Sequence, residues 1–360
     1  MIPMWKIRRE LERFRTQLAA IPSLLLQPIV QRRYDQKRHE NILVEIGEVE
    51  CSDNLAIFLI FQPSGVSPSI LQTCEFLTGS GFAPIVISNA PLNSDDRAVL
   101  RKNAHLVVQR PNYGYDFGGY RDGVWLVNNR GLSPKSVLFL NDSVWLPVFP
   151  QTELLDRMID APEDYVGTQV FGDIAARGKA RGFFGSYCFC VKGPVWQSKV
   201  FQDFWSGYKN SSNKEVTLRR GERAFSRLIL SECGGGAALF DNERFRAVVD
   251  ALTEPELREA IRDMVVTDPK LEAAQAAMLK RGLEKASCAE MTELLLASAR
   301  SKNYIAAAPI LSLRNLGFPM IKKNNERHYQ LARQRILRAI EEGRLNGLES
   351  AVVEELRARD

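Results

Sequence analysis

Between residues 55 and 140, four short apolar runs alternate with segments carrying helix signals, and this order limits the chain to few folds. The runs are Leu55-Ala-Ile-Phe-Leu-Ile-Phe61, Ala83-Pro-Ile-Val-Ile-Ser88, His105-Leu-Val-Val-Gln109 and Val137-Leu-Phe-Leu140. Runs this short and this continuous suit strands buried on both faces, which are typical of parallel sheets. Ser67 or Ser69 is placed to cap a helix through Ile70, Leu71, Cys74, Phe76 and Leu77, and Asn93-Ser-Asp-Asp96 opens another, Arg97 to Asn103. The β-α-β-α-β order predicts a parallel sheet with right-handed crossovers. Its ligand edge is the carboxyl end of the strands.

Two segments mark that edge. Arg110-Pro-Asn-Tyr-Gly-Tyr-Asp-Phe-Gly-Gly-Tyr-Arg-Asp-Gly123 follows the third run, and a helix through Val124, Trp125 and Val127 is expected after it. Its glycines are expected to let backbone approach a ligand closely. The fourth run ends in Asn141-Asp142-Ser143, so a buried strand delivers a carboxylate to its own tip. Asp142 there can hold a divalent cation against a diphosphate, or simply close an Asx-type turn. Asn112, Gly114 and Asp116 can read a nucleobase or ribose, or form a tight loop that bonds its own backbone. Glu222, expected to start a helix after Gly221, has the chemistry of a general base or of a helix-dipole partner. Lys322 and Lys323 can stabilise a leaving diphosphate or form a solvated charged end.

The remaining features bound the answer. A length of 360 residues allows one large domain or two modest ones, and the apolar fraction of 45% suits a folded chain. A net charge of +5 is too mild to point to nucleic acid. Six cysteines show no repeated spacing; Cys188 and Cys190 read as packed free thiols. His39, His105 and His328 are too dispersed for a catalytic or metal triad. No apolar run reaches the length of a membrane span, and the N-terminus lacks the core of a secretory signal, so a cytoplasmic location is expected. Residues 1–45 form a basic amphipathic segment, with Met1, Met4, Trp5, Ile7, Leu11 and Phe14 near one helical face among Lys6, Arg8, Arg9, Arg13 and Arg15. Such a segment either packs on its own domain or lies on an anionic membrane surface. Residues 46–244 read as an α/β catalytic domain and residues 245–360 as a helical C-terminal region. Between further strands at Tyr165–Phe171 and Tyr187–Val191, the Gly172–Gly185 segment reads as a loop near the site.

Asn112-Tyr-Gly-Tyr-Asp116 with Gly119-Tyr120, Leu140-Asn-Asp-Ser-Val144 with Pro147, Phe201 with Phe204-Trp205, the Glu222 helix and Gly317-Phe-Pro-Met-Ile-Lys322 together resemble the rhamnan synthesis F family of bacterial cell-surface polysaccharide proteins. The resemblance spans roughly residues 50 to 325. It implies a GT-A-like, Rossmann-type α/β fold with a mostly parallel sheet. It also implies transfer of rhamnose, or a related deoxysugar, from a nucleoside-diphosphate donor such as a dTDP-rhamnose-like one to a lipid-linked glycan, with inversion. By that likeness Asp142 stands where the metal–diphosphate motif of the fold sits, with Asn112, Gly114, Asp116, Asn141, Ser143 and Lys322 around the donor and Glu222 as base. The chain departs from the Asp-x-Asp form, because Asn141 and Ser143 flank a single carboxylate. Mg²⁺ or Mn²⁺ is then held weakly, or Lys322 and the Arg177–Arg181 loop neutralise the diphosphate. The alternative is a non-catalytic glycan- or membrane-associated assembly protein that keeps the fold.

Overall fold

The computed structural model describes residues 26–172 and 182–359. Its centre is a mixed sheet of nine strands in an α/β arrangement, flanked by helices and followed by a helical C-terminal region. Strands β1 (Leu43–Ile46), β2 (Asn54–Ile60), β3 (Phe82–Ser88), β4 (Leu106–Gln109) and β5 (Ser136–Asn141) form one half, in the order β1-β4-β3-β2-β5. The four from β4 to β5 are parallel, and β1 runs antiparallel on the edge. After the short strand β6 (Val144–Trp145), the sheet continues through β9 (Cys188–Lys192), β7 (Tyr165–Phe171) and β10 (Ala237–Phe240), with β8 (Phe183–Phe184) paired to β7. β9 is antiparallel to both β5 and β7, while β10 is parallel to β7.

β2 shows why these sequences make buried strands. Alternate residues face opposite sides: Ala56, Phe58 and Ile60 enter one core, Leu55, Ile57 and Leu59 the other. Both sides are covered, so the strand can be apolar throughout. On the second side lies the Tyr115–Asn129 helix. It begins at Tyr115, earlier than the sequence suggests, so most of the Gly-rich segment is helix. A Cβ on Gly119 would lie 2.4 Å from Leu59, and one on Gly123 would lie 2.7 Å from Ile57. These glycines bring helix to sheet; they do not bring backbone to a ligand.

The first side is covered in part by the C-terminal helices. Leu257, Ile261, Met291, Leu295 and Tyr304 share a core with Phe58, Val86 and Leu138. Strand β11 (Ile321–Lys322) pairs antiparallel with β6 immediately after Asp142. The last helix, Ser350–Arg359, is tied back by Glu355, which accepts from Ser69 N, Ser69 Oγ and Trp145 Nε1 at 2.7–2.8 Å.

Residues 26–36 and 38–41 are helical and pack on the domain. Their inward side is polar. Tyr34 Oη donates to Asp122 at 2.5 Å, and Arg38 pairs with the same carboxylate at 3.3 Å. Arg121 holds Asp35 through both terminal nitrogens at 2.6 and 2.9 Å. Outward are Leu26, Ile29 and Val30, with Arg32, Arg33 and Lys37 exposed beside them. Residues 1–25 of that segment, and the Arg177–Arg181 stretch, lie outside the described residues. All six cysteines are free, with Cys188 and Cys190 buried in β9. Among the described residues no helix is long and apolar enough to cross a membrane.

Candidate functional site at the strand tips

From β2 the chain winds outward through β3 to β4, then crosses back to set β5 on the other side of β2. The winding reverses between β2 and β5, and a crevice at such a switch point is where open α/β sheets bind ligands. Asp142 stands there. Its Oδ2 accepts from Phe61 N and from Gln62 Nε2, both at 2.7 Å, so the end of β2 orients the carboxylate delivered by β5. Asn141 is buried and spoken for: Nδ2 donates to Asp116 Oδ2 at 2.9 Å, and Oδ1 accepts from Ser143 N and Oγ at 3.1 and 2.5 Å. The Asx-type turn is therefore present, formed by Asn141 with Ser143, and Asp142 is left to face the crevice half-buried.

Asp116 sits in the first turn of the Tyr115–Asn129 helix, where the helix dipole favours an anion. Burial, and then the charges of Asp142 and Glu222, push its carboxyl up to about 6. The preceding turn takes two left-handed residues, Gly114 at φ 92° and Tyr115 at φ 51°. The second is unusual for a residue with a side chain.

Glu222 is not a first-turn residue. It lies inside a π-helical turn, Leu218–Arg223, that continues the Lys214–Thr217 helix into Ala224–Glu232. Such turns often mark functional sites. Gly221 packs there against Phe117, with a would-be Cβ 2.6 Å from the ring. Glu222 Oε1 accepts from Ser186 N and Oγ, both at 2.8 Å. Lys322, the end of β11, places Nζ 3.1 Å from the centre of the Tyr187 ring. Burial drives its ammonium down to about 7 against the opposing pull of Glu222 and Asp116. Its neighbour Lys323 points elsewhere, 3.8 Å from Glu355 and over Trp145.

Four sequence candidates thus converge: Asp142, Asp116, Glu222 and Lys322, each within electrostatic reach of at least one other. Asn141 and Ser143 support them. Asn112 is exposed on the loop, and Gly114 packs on Asn210. Sequence reading passed over Phe61, Gln62, Ser186, Tyr187 and Lys214. Phe61 is half exposed beside Asp142, and the charge of exposed Lys214 opposes the rise of the Asp116 carboxyl. Only the ending of the first apolar run in Phe61-Gln62 hinted at any of them.

Asp142 and Asp116, two carboxylates within electrostatic reach of each other, have the chemistry of ligands to a divalent cation that takes its other ligands from phosphate oxygens and water. Among the described residues no group of three or more His, Cys, Asp and Glu side chains is arranged to hold a metal by itself.

Residues 84–264, half of the chain, match the family model of rhamnan synthesis protein F. The chain belongs to the rhamnan synthesis protein F family. The match runs from within β3 to the end of the second helix after β10, and so takes in Asp116, Asp142 and Glu222. The family supports a glycosyltransferase role. Over 357 residues the chain is 26% identical to the uncharacterized protein y4gN of Sinorhizobium fredii, covering 99% of this chain and 92% of that one. The solved mannosyltransferase PcManGT from Pyrobaculum calidifontis, in complex with GDP-Man and Mn²⁺, is similar over 91% of this chain and 96% of its own, at 11% identity and a TM-score of 0.27. A likeness that slight says nothing of this chain's fold or chemistry.

Proposed function

We propose that this chain is a glycosyltransferase of GT-A type that moves rhamnose or a related deoxysugar from a nucleoside-diphosphate donor to a lipid-linked cell-surface glycan, with inversion. The observation that carries this reading is the convergence of Asp142, Asp116, Glu222 and Lys322 at the switch point. The donor diphosphate lies over Asp142 and Asp116. Those two carboxylates would hold Mg²⁺ or Mn²⁺, which when bound neutralises charge on the leaving diphosphate. Lys322, protonated, adds a fixed positive charge on the same side.

Glu222 takes the proton of the acceptor hydroxyl as the acceptor oxygen attacks the anomeric carbon. The bond to the diphosphate oxygen breaks on the opposite face, and the diphosphate leaves with that electron pair. Ser186 holds Glu222 by one oxygen and so fixes the direction of proton transfer. The half-exposed Phe61 ring offers an apolar face to a base or sugar.

Lipid-linked acceptors lie at a membrane. The outward Leu26, Ile29 and Val30 with Arg32 and Arg33 support a peripheral position on the cytoplasmic face of the inner membrane. A transfer assay with dTDP-rhamnose and extracted lipid-linked acceptor tests the reading. Transfer by the wild type and none by Asp142→Ala is expected; wild type that neither binds nor transfers any nucleotide sugar rejects it in favour of a non-catalytic assembly protein.

A further inference from the structure

Asn210 is fully buried, yet neither Nδ2 nor Oδ1 has a hydrogen-bond partner. Buried amides are almost always paired, so an empty one calls for an explanation. Its backbone is not loose. The N–H donates to Gln31 Oε1 at 2.8 Å, and the carbonyl accepts from Gln27 Nε2 at 2.6 Å and Tyr113 Oη at 3.2 Å. The main chain is clamped and only the amide is idle.

What covers the amide is a glycine. A Cβ on Gly114 would lie 2.7 Å from Asn210 Cγ, so any other residue there would collide with it. Gly114 and Tyr115 are the two left-handed residues that lead into Asp116, and Tyr115 Oη donates to Ser212 O at 3.1 Å. Beyond Asn210 the same loop leads to Lys214, whose charge acts on Asp116. The loops at 111–115 and 208–214 therefore pack on each other next to Asp116, closed over an unpaired donor and acceptor by a backbone turn under conformational strain.

We infer that Asn210 is a specificity residue for the donor, and that its amide takes hydrogen bonds from the nucleoside part when the Gly114–Tyr115 turn shifts on binding. This rests on the reading of the crevice as a nucleotide-sugar site. The chemistry selects the nucleoside over the diphosphate. Phosphate oxygens only accept, and would satisfy Nδ2 but leave Oδ1 empty. A nucleobase edge presents a donor beside an acceptor, as in the imide of uracil or thymine or the lactam of guanine, and pairs with both. Gly114 is the place where this cover can yield, because no side chain locks it.

Calorimetric titration of the full chain with UDP, dTDP, GDP and inorganic pyrophosphate tests this, comparing wild type with Asn210→Leu. Leucine keeps the branching at Cγ and removes both polar atoms, and a thermal melt of the free variant checks that it folds. The expected result is a loss of at least about tenfold in affinity for the preferred nucleoside diphosphate, with pyrophosphate affinity unchanged. Equal loss for both ligands, or loss for neither, overturns the assignment. Asn210→Ser, which cannot span both positions, gives the same selective loss if the leucine variant does not fold. A wild type that binds none of the three nucleoside diphosphates overturns the reading of the site itself. Wild-type binding that the variants retain overturns Asn210 alone.

Discussion

Lys322 and Asp116 titrate from opposite directions, and each makes a prediction at the residue scale. Burial holds the Lys322 ammonium near 7 in the folded chain, far below its ordinary value. Between those two values the unfolded chain binds more protons than the folded one, so this group's contribution to stability rises with pH above about 7. Lys322→Met should flatten that rise in thermal melts taken from pH 7 to 10. Donor binding runs the other way, because a diphosphate prefers the protonated amine. Affinity for a nucleoside diphosphate should fall as pH climbs through 7 in wild type and stay level in Lys322→Arg, measured by titration at several pH values. Asp116 is raised to about 6, so it favours the folded state when protonated and loses that contribution as pH rises from about 4 to 6. Glu222→Gln should lower turnover by about 10²–10⁴-fold with donor affinity little changed, the signature of a lost general base. Loss of affinity without loss of turnover would move Glu222 to a binding role.

At the scale of elements, the first described helix has two sides with different tasks. Its inward residues belong to a buried network in which Arg110 donates to Asp122 at 2.6 Å, to Asn89 at 2.6 Å and to Tyr113 O at 2.6 Å, and Tyr34 and Arg38 share Asp122. Removing one partner from such a buried set costs about 3–5 kcal/mol. Asp122→Ala should therefore lower the denaturation free energy by that order in a urea titration. The outward side carries a separate test. Ile29→Glu with Val30→Glu should reduce co-sedimentation with vesicles containing anionic lipid while leaving the melting temperature in place. Undiminished sedimentation would shift any membrane contact to other residues. Deleting residues 1–38 cannot separate the two sides, because Gln27, Gln31 and Tyr34 go with the outward residues. The Tyr115–Asn129 helix tells a similar story through size. Gly119→Ala places a methyl group against Leu59 and should destabilise by about 1–3 kcal/mol through overpacking.

Across the whole molecule, the C-terminal region completes the site. β11 brings Lys322 to the crevice only because it pairs with β6, and the pairing is held from outside by the last helix. Glu355 on that helix meets Ser69, Trp145 and Lys323, which lies 3.8 Å away and is buried. Truncation before Ser350 should lower the melting temperature and, by loosening β11, weaken diphosphate binding. An unchanged affinity in the truncated chain would show that β11 stands without its latch.

Much of the fold was legible because local signals and the global fold agree. The apolar runs of β2, β3 and β5 could only be buried strands, and Asn93 caps the Ser94–Asn103 helix as its position suggests. The Asn141-Asp142-Ser143 ending announced a carboxylate at a strand tip for the same reason: a buried strand must surface somewhere. The glycines misled, since a glycine that admits a ligand and one that admits a neighbouring strand look alike until the neighbour is known. By itself the sequence determined the alternation of strand and helix, and with it the sheet edge at which a ligand would bind. Only the tertiary structure decided that Lys322, some 180 residues beyond Asp142, shares its crevice, that Ser186 holds Glu222, and that Asn210 lies idle behind Gly114. Such contacts join distant parts of the chain through packing, which leaves no period or spacing in the sequence to read.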